Sequence, residues 1–360
     1  MPKRDAPSRA APVVYSGAFT GENGRDVAFT APGAAAPDAP SLSGRFPLVI
    51  LAHGYGGTPV AMSWLAENLA SKGYVVVGPR FEDPPITDPA RAGVPLARRP
   101  LDIAFVAAEA QRRAAAHAAR FAAVDPERTV LIGYSMGGYG VLTDAGAALD
   151  PALATRTQGA LAPFVSGAPR AHDLVVANLK AVVAISPAGQ FGGASAWGEH
   201  GLADVTAPTL FIVGDADKLV GYDPGVKTLF DRETSAPRYL LTFENAGHAI
   251  GMDPAPLQMR GALWDQDWFE DPVWRKERTT AIQLHFITAF LDRYVKGDPA
   301  ASSYLDVAQP LSNEGVWPAK PGEAWDRYSP GTPPITVWKG FQRGHATGLE
   351  LRFKGPSSPP

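Results

Sequence analysis

The chain has 360 residues, of which 45% are hydrophobic, as expected for a globular protein that buries a sizeable core. Its formal net charge of −3 gives no electrostatic reason to expect nucleic acid or an anionic membrane surface as a partner. The absence of cysteine excludes disulfides, thiolate metal sites and cysteine nucleophiles.

The chain begins with a stretch of proline, alanine and charged residues, which predicts a disordered lead-in over residues 1–15. This stretch lacks the apolar core of about 7–15 residues that a signal peptide needs. No apolar run approaches the ~20 residues that span a bilayer, so we expect no transmembrane segment. As written, the sequence indicates a cytoplasmic protein, or a periplasmic or secreted one if a signal peptide has been removed.

Further along, short apolar runs alternate with helical patterns, and glycine, proline or aspartate marks the boundaries. Predicted strands cover residues 46–52, 74–77, 128–135, 179–187, 207–215 and 238–243. Predicted helices cover residues 61–72, 101–121, 136–149 and 279–296. This alternation favours an α/β fold with a mostly parallel central sheet and helices on both faces.

We expect one α/β domain over residues 16–298. Two stretches, 147–178 and 251–278, interrupt the alternation and are predicted to be cap-like insertions near the active-site end of the sheet. Residues 299–360 are rich in proline and glycine, which indicates a tail packed on the domain rather than a second domain.

The segment "LIGYSMGGYG" sets Ser135 among four glycines between a predicted strand and a predicted helix. It contains neither the Gly-Lys-Ser/Thr ending of a Walker loop nor a G-x-G-x-x-G pattern. What remains is G-x-S-x-G, in which small residues at 133 and 137 permit the sharp turn of a nucleophile elbow. A plain strand-to-helix turn with an unused serine explains the motif equally well, so its partners decide the prediction.

The partners follow in the order that a serine hydrolase of this topology uses, which is Ser, then an acid, then His. Asp215 and Asp217 come after one late strand, and His248 comes after the next. Carboxyl ends of parallel strands meet at one edge of the sheet, so these side chains are predicted to converge on Ser135. We favour Asp217 over Asp215, because Asp217 lies further into the loop while Asp215 is placed to cap a turn.

Such a site also needs donors where negative charge develops on the substrate oxygen. The backbone N–H of Met136, directly after the serine, is one predicted donor. The second is the N–H of Tyr55 in the glycine-rich loop "AHGYGG". His53 in the same loop precedes Ser135 in the chain, so we predict that it braces the loop rather than acting as the base.

The motifs "HGYGG", "GYSMGG", "PTLFIVGDADKLV", "NAGHA" and "FLDRYVKGD" resemble those of the serine α/β-hydrolases over about residues 45–298. The likeness is to the group of platelet-activating factor acetylhydrolases, cutinase-like polyester hydrolases and dienelactone hydrolase-like proteins. It implies Ser135 as nucleophile, Asp217 as acid, His248 as base, and Tyr55 and Met136 as oxyanion donors.

The resemblance also implies a substrate pocket lined by the side chain of Tyr55 and by an aromatic wall of Phe191 and Trp197. The chain departs from true dienelactone hydrolases, which use cysteine, because it has none. It departs from compact cutinases by its two insertions, which favour a lidded pocket for smaller acyl substrates.

We therefore predict a cofactor-free serine hydrolase that cleaves a small-molecule or oligomeric carboxylic ester through an acyl-enzyme. The sequence shows no clustered His and Asp set, so we expect no metal. Two alternatives stay open. One is an amidase or peptidase that uses the same triad, and the other is a non-catalytic binding protein on a hydrolase scaffold.

Overall fold

The computed structural model describes residues 12–20, 25–85, 88, 91–318, 333–342 and 344–357. The strands are β1 (Val14–Thr20), β2 (Asp26–Pro32), β3 (Phe46–Ala52), β4 (Val75–Val77), β5 (Val124–Tyr134), β6 (Leu179–Ile185), β7 (Gln190–Phe191), β8 (Ala194–Ser195), β9 (Thr209–Gly214), β10 (Arg238–Phe243) and β11 (Leu349–Lys354). The α-helices are α1 (Ser63–Ser71), α2 (Gly93–Ala115), α3 (Met136–Asp144), α4 (Ala152–Arg156), α5 (Lys227–Arg232), α6 (Leu263–Asp267) and α7 (Lys276–Tyr294).

A seven-stranded sheet in the order β11-β10-β9-β6-β5-β3-β4 forms the centre of the molecule. Its strands pair in parallel except at one edge, where β11 runs antiparallel to β10. The strand order reverses between β3 and β5, which is where open parallel sheets place their ligand sites. The predicted α/β fold with a mostly parallel sheet is confirmed.

Each face of this sheet is covered by its own apolar core. On β3, Val49 and Leu51 point to the face packed by α1 and α7, while Leu48 and Ile50 point to the face packed by α2, α3 and α5. All four side chains are almost completely buried. Burial of one such side chain stabilises the fold by about 1.5–3 kcal/mol, so β3 is a firm base for the loop that follows it.

Helix α2 begins at Gly93, eight residues before the predicted start of 101. The predicted start lies directly after Pro100, and a proline inside a helix removes one helical hydrogen bond. In the structure Pro100 is buried inside the helix, and tertiary packing offsets the lost bond. The added turns carry Arg99 into the interior next to β3 and β5.

The two ends of the chain contribute strands that the sequence did not predict. Strand β1 begins at Val14, inside the stretch predicted as a disordered lead-in, and pairs with β2 as a separate hairpin. Residues 1–11 of that lead-in lie outside the described residues. Near the other end, β11 extends the main sheet with Leu351 opposite Leu241, so the C-terminal stretch is built into the sheet. None of the described helices is long and apolar enough to cross a bilayer.

Candidate active site

Ser135 lies at the turn between β5 and α3 in a backbone conformation with φ of +54° and ψ of −117°. A residue other than glycine is strained there, and strain of this kind persists only where the surroundings enforce it. The N–H of Ser135 donates to the carbonyl of Ile185 at 2.9 Å, and its own carbonyl accepts from the N–H of Ala188 at 2.9 Å. The end of β6 therefore holds the turn, and Oγ faces the cavity above it.

Two glycines on either side make this turn sterically possible. A Cβ atom at Gly137 would overlap the carbonyl oxygen of Ala52 on β3. A Cβ atom at Gly133 would overlap the carbonyl oxygen of Gly137 itself. Strand and helix thus pass one another at backbone contact distance, which only glycine allows.

Three side chains that the sequence predicted to converge are joined by hydrogen bonds. The Nε2 atom of His248 lies 3.0 Å from Oγ of Ser135, and its Nδ1 lies 2.7 Å from Oδ2 of Asp217. Asp215 is turned elsewhere and accepts the N–H of Asn245. The structure therefore brings Asp217, and not Asp215, to the imidazole.

The surroundings of Asp217 keep its carboxylate ionised. Burial by itself would raise its pKa. The hydrogen bond and charge of His248, with the N–H groups of Val220 at 3.2 Å and Leu219 at 3.0 Å, outweigh burial and hold the pKa below its ordinary value. An ionised carboxylate only accepts, so Nδ1 of His248 carries the proton and Nε2 is free to accept from Ser135.

His53, in the loop after β3, has the opposite character. Burial, with the charge of Arg99, lowers its pKa to about 3, so the imidazole is neutral at physiological pH. Its Nε2 accepts the N–H of Phe81 at 3.1 Å, so Nδ1 carries the proton and donates to the carbonyl of Gly54 at 2.7 Å. His53 braces the loop and has no free nitrogen for proton transfer.

A cavity of about 350 Å³ lies over Ser135 and His248. Tyr55, Met136 and Phe191, all predicted to belong to the site, line it. The hydroxyl of Tyr55 donates to the carbonyl of Pro84, which fixes the ring at the cavity wall.

Trp197 is a correction to the predicted aromatic wall, because it does not reach the cavity. It is 2% exposed, and its Nε1–H donates to Oγ1 of Thr143 at 3.1 Å. Its ring packs against Tyr139, with centroids 5.6 Å apart, and Phe191 packs on the same tyrosine from the cavity side. A buried indole needs a partner for its N–H. Thr143 supplies that partner on the side of Tyr139 away from the cavity, and this holds Trp197 there.

The opposite wall comes from elements outside the main sheet. Phe19 of β1, Met252 and Trp268 line it, and the rings of Phe19 and Trp268 lie 5.6 Å apart. Of the two predicted insertions, 251–278 thus reaches the cavity. None of the described lining residues belongs to 147–178, although Arg156 of that stretch donates to the carbonyl of the lining residue Phe191.

Residues 36–166 match the family model described as PETase: PET hydrolase-like. The matched stretch runs from the approach to β3 past the turn at Ser135. Together with the mostly parallel sheet, this match shows an α/β-hydrolase fold. The match indicates an ester hydrolase of that type, and Asp217 and His248 lie beyond the matched residues. No curated protein shows a significant match to the chain.

The loop that carries His248 is held by side-chain donors that the sequence analysis did not predict. The four carbonyls of residues 248–251 each accept from a different side chain, and these side chains belong to β5, α7 and α1. The carbonyls of residues 248, 249, 250 and 251 accept, respectively, from Oη of Tyr134 at 3.0 Å, Nζ of Lys276 at 2.8 Å, Nε2 of Gln283 at 2.8 Å and Nε1 of Trp64 at 3.1 Å. The ring of Tyr134 also lies against His248, with centroids 5.1 Å apart. These contacts fix the loop backbone and one face of the imidazole.

A signal for this support was present in α7. Lys276 and Gln283 are seven residues apart, which is two helical turns, and both are buried on the face that packs against the sheet. Polar residues on a buried helical face need partners, and the nearest unsatisfied groups are loop carbonyls. Among the described residues, no group of three or more His, Asp or Glu side chains is arranged to hold a metal ion.

Proposed function

We propose that this hydrolase is a serine carboxylesterase that cleaves esters through an acyl-enzyme. The observation that carries the proposal is the continuous hydrogen-bonded set of Ser135, His248 and Asp217 at the floor of a cavity. A serine hydroxyl is a weak nucleophile until a base removes its proton, and His248 lies within reach to do so.

In the acylation half, Oγ of Ser135 attacks the ester carbonyl while Nε2 of His248 takes the hydroxyl proton. The negative charge that develops on the carbonyl oxygen is met by the N–H groups of Tyr55 and Met136. Asp217 stabilises the imidazolium and keeps its orientation. The tetrahedral intermediate then breaks the bond to the alkoxide, which leaves as the alcohol with the proton from Nε2.

Deacylation repeats these steps with water. Nε2 of His248 removes a proton from the water as its oxygen attacks the acyl carbonyl. The same two N–H groups receive the charge, and the bond to Oγ of Ser135 breaks as the proton returns to that oxygen. The carboxylic acid leaves and the free enzyme is restored.

The cavity supports small, uncharged ester substrates. Its volume of about 350 Å³ is near the lower end of ligand sites, which are roughly 300–1,000 Å³. Its lining is mainly apolar, with aromatic side chains on both walls, and no lysine or arginine is among the described lining residues. Short acyl or alcohol groups fit these features better than long or anionic ones.

The test is turnover of short p-nitrophenyl esters by Ser135→Ala and by the wild type, with fluorophosphonate labelling of both. We expect turnover to fall by about 10⁴-fold or more and labelling of the peptide that holds residue 135 to disappear. Wild-type turnover in the variant would refute the proposal. Parallel assays on an ester and its matched anilide separate an esterase from an amidase, and we expect the ester to be cleaved faster.

A further inference from the structure

The Gly54–Tyr55 peptide bond contains the proposed donor, since the N–H of Tyr55 and the carbonyl of Gly54 belong to one planar unit. In a trans peptide these two groups point in opposite directions. Any contact that fixes the carbonyl of Gly54 therefore also fixes the direction of the N–H of Tyr55. Gly54 is beside the nucleophile, because a Cβ atom on it would lie 3.2 Å from Cβ of Ser135.

Two buried side chains hold the Gly54 carbonyl. Nη2 of Arg99 donates to it at 3.0 Å, and Nδ1 of His53 donates to it at 2.7 Å. The carbonyl is thus directed into the interior, and the N–H of the same peptide is directed the other way. A cation on the carbonyl oxygen also draws charge from the peptide, which strengthens its N–H as a donor.

Asp83 extends this hold to the next peptide. Its Oδ2 accepts from Nη2 of Arg99 at 2.7 Å and from the N–H of Gly56 at 2.9 Å. The peptides before and after Tyr55 are therefore both tied to one buried ion pair.

The cost of burying Arg99 points to a role other than stability. Its side chain is 0% exposed, and its guanidinium lies 3.9 Å above the centre of the Phe81 ring. Its Nε and Nη1 atoms have no hydrogen-bond partner. Buried ion pairs with unmet donors are often no better for stability than well-packed apolar residues.

We propose that Arg99, held by Asp83, is a positioning residue that presets the N–H of Tyr55 as an oxyanion donor. The inference rests on the proposed esterase function. It assigns to α2 a part in the reaction, although no atom of Arg99 touches the substrate. Without the guanidinium, the Gly54 carbonyl keeps only the neutral donors of His53 and Gly57, which hold the peptide less firmly toward the charge it should meet.

The test compares Arg99→Met and Arg99→Lys with Arg98→Met. Arg98 is the matched control, since it is adjacent on α2, exposed, and paired only at 3.7 Å with Asp102. Rates are divided by the number of sites that a fluorophosphonate titrates, so misfolded protein does not count. We expect kcat of Arg99→Met to fall by about 10²-fold with KM nearly unchanged, as for the loss of one oxyanion donor.

An alkylboronic acid, which places an oxygen where the oxyanion forms, should bind Arg99→Met more weakly by about the same factor. Arg99→Lys should recover part of kcat, because an ammonium can still donate to the carbonyl. Arg98→Met should match the wild type. A normal kcat per titrated site with a lowered melting temperature would overturn the inference and leave Arg99 a structural residue.

A second variant keeps the inference testable if Arg99→Met does not fold. Asp83→Asn preserves size but removes the charge that holds the guanidinium, and we expect kcat to fall by roughly 10-fold with the same loss of boronic acid affinity. Unchanged values in that variant would also refute the inference. Failure of the proposed function is distinguishable, because it would appear as activity in Ser135→Ala, whatever the Arg99 variants do.

Discussion

The two sides of the cavity are built in different ways. On one side, Ser135, Tyr55 and His248 sit on loops that follow strands of the main sheet, and hydrogen bonds to backbone groups fix each loop. On the other side, Phe19 and Trp268 come from the β1–β2 hairpin and the 251–278 segment. That wall is held by ring contacts, such as Phe19 with Phe269 at 5.2 Å.

This difference separates two tasks. Hydrogen bonds are directional, and donors displaced by a fraction of an ångström lose much of their effect on a transition state. Apolar contacts are not directional, and they tolerate changes of shape at modest cost. We therefore expect changes on the sheet-borne side to alter how fast any ester is cleaved. Changes on the wall formed by Phe19, Met252 and Trp268, called here the appended wall, should alter which ester is preferred.

The largest effect is expected from Asp217→Asn, compared with Asp215→Asn. Replacing the carboxylate that holds Nδ1–H of His248 should lower kcat by about 10⁴-fold, because the amide favours the wrong tautomer. Asp215 accepts only the N–H of Asn245, so its variant should keep kcat within a few-fold. Steady-state kinetics on one short ester checks both. Equal losses in the two variants would contradict the role given to Asp217.

The next effect concerns the turn at Ser135 and is a matter of folding. Gly137→Ala would force a methyl group into the carbonyl of Ala52, and we expect it to destabilise the protein by about 3 kcal/mol or more. Gly261→Ala is the control, because a Cβ atom there has no neighbour within 4 Å. Urea denaturation measures both. A Gly137→Ala protein as stable as the control would show that strand and helix can move apart.

Much of the sheet could be predicted because buried parallel strands are short, continuous apolar runs. The predicted ranges 46–52 and 238–243 coincide with β3 and β10. Strand β11 could not be predicted, since only Leu349 and Leu351 of it are buried and its partner is remote in the chain. The start of α2 was missed because a proline inside a helix is rescued only by tertiary packing.

The residues of the site likewise divide into those that the sequence predicts and those that it does not. Ser135 follows from a local strand–turn–helix pattern, and the order of Asp217 and His248 follows from the succession of strands. Arg99 could not be predicted, because the backbone carbonyl that it holds leaves no trace in the residue types and Asp83 is remote from it in the local pattern. Trp197 was assigned to the wrong side of Tyr139, a distinction that depends on side-chain direction alone.

A third prediction tests the support of the His248 loop through pH. Burial lowers the pKa of Lys276 to about 8 from 10.5, partly opposed by Glu270 and Asp271. Between those two pH values the unfolded chain binds the proton more tightly, so the free energy of unfolding rises with pH. The Lys276→Met variant has no ammonium group at this position, so it lacks this rise in the free energy of unfolding. From pH 8 to 10.5 the wild type should gain on the order of 2 kcal/mol relative to the variant.

Chemical denaturation of both proteins at pH 7, 8.5 and 10 provides the measurement. Titration of all other groups is common to the two proteins and cancels in their difference. If the difference in free energy of unfolding between the two proteins stays constant with pH, burial does not lower the pKa of Lys276. The variant should also lose some kcat, because the carbonyl of Ala249 beside His248 loses its donor.

The smallest effect is expected from a change in the appended wall, which should alter the preference among esters rather than the rate on all of them. Trp268→Ala opens the cavity beside Phe19 and Met252, so bulkier esters should gain relative to short ones. We expect the ratio of kcat/KM between a branched and a short ester to change by roughly 10-fold, in the range typical of a changed apolar pocket. Leu263→Ala is the control, since Leu263 is in the same segment but 81% exposed. A uniform loss of kcat across all esters in Trp268→Ala would mean that this wall also positions the catalytic loop. The two sides of the cavity would then share one task rather than divide two.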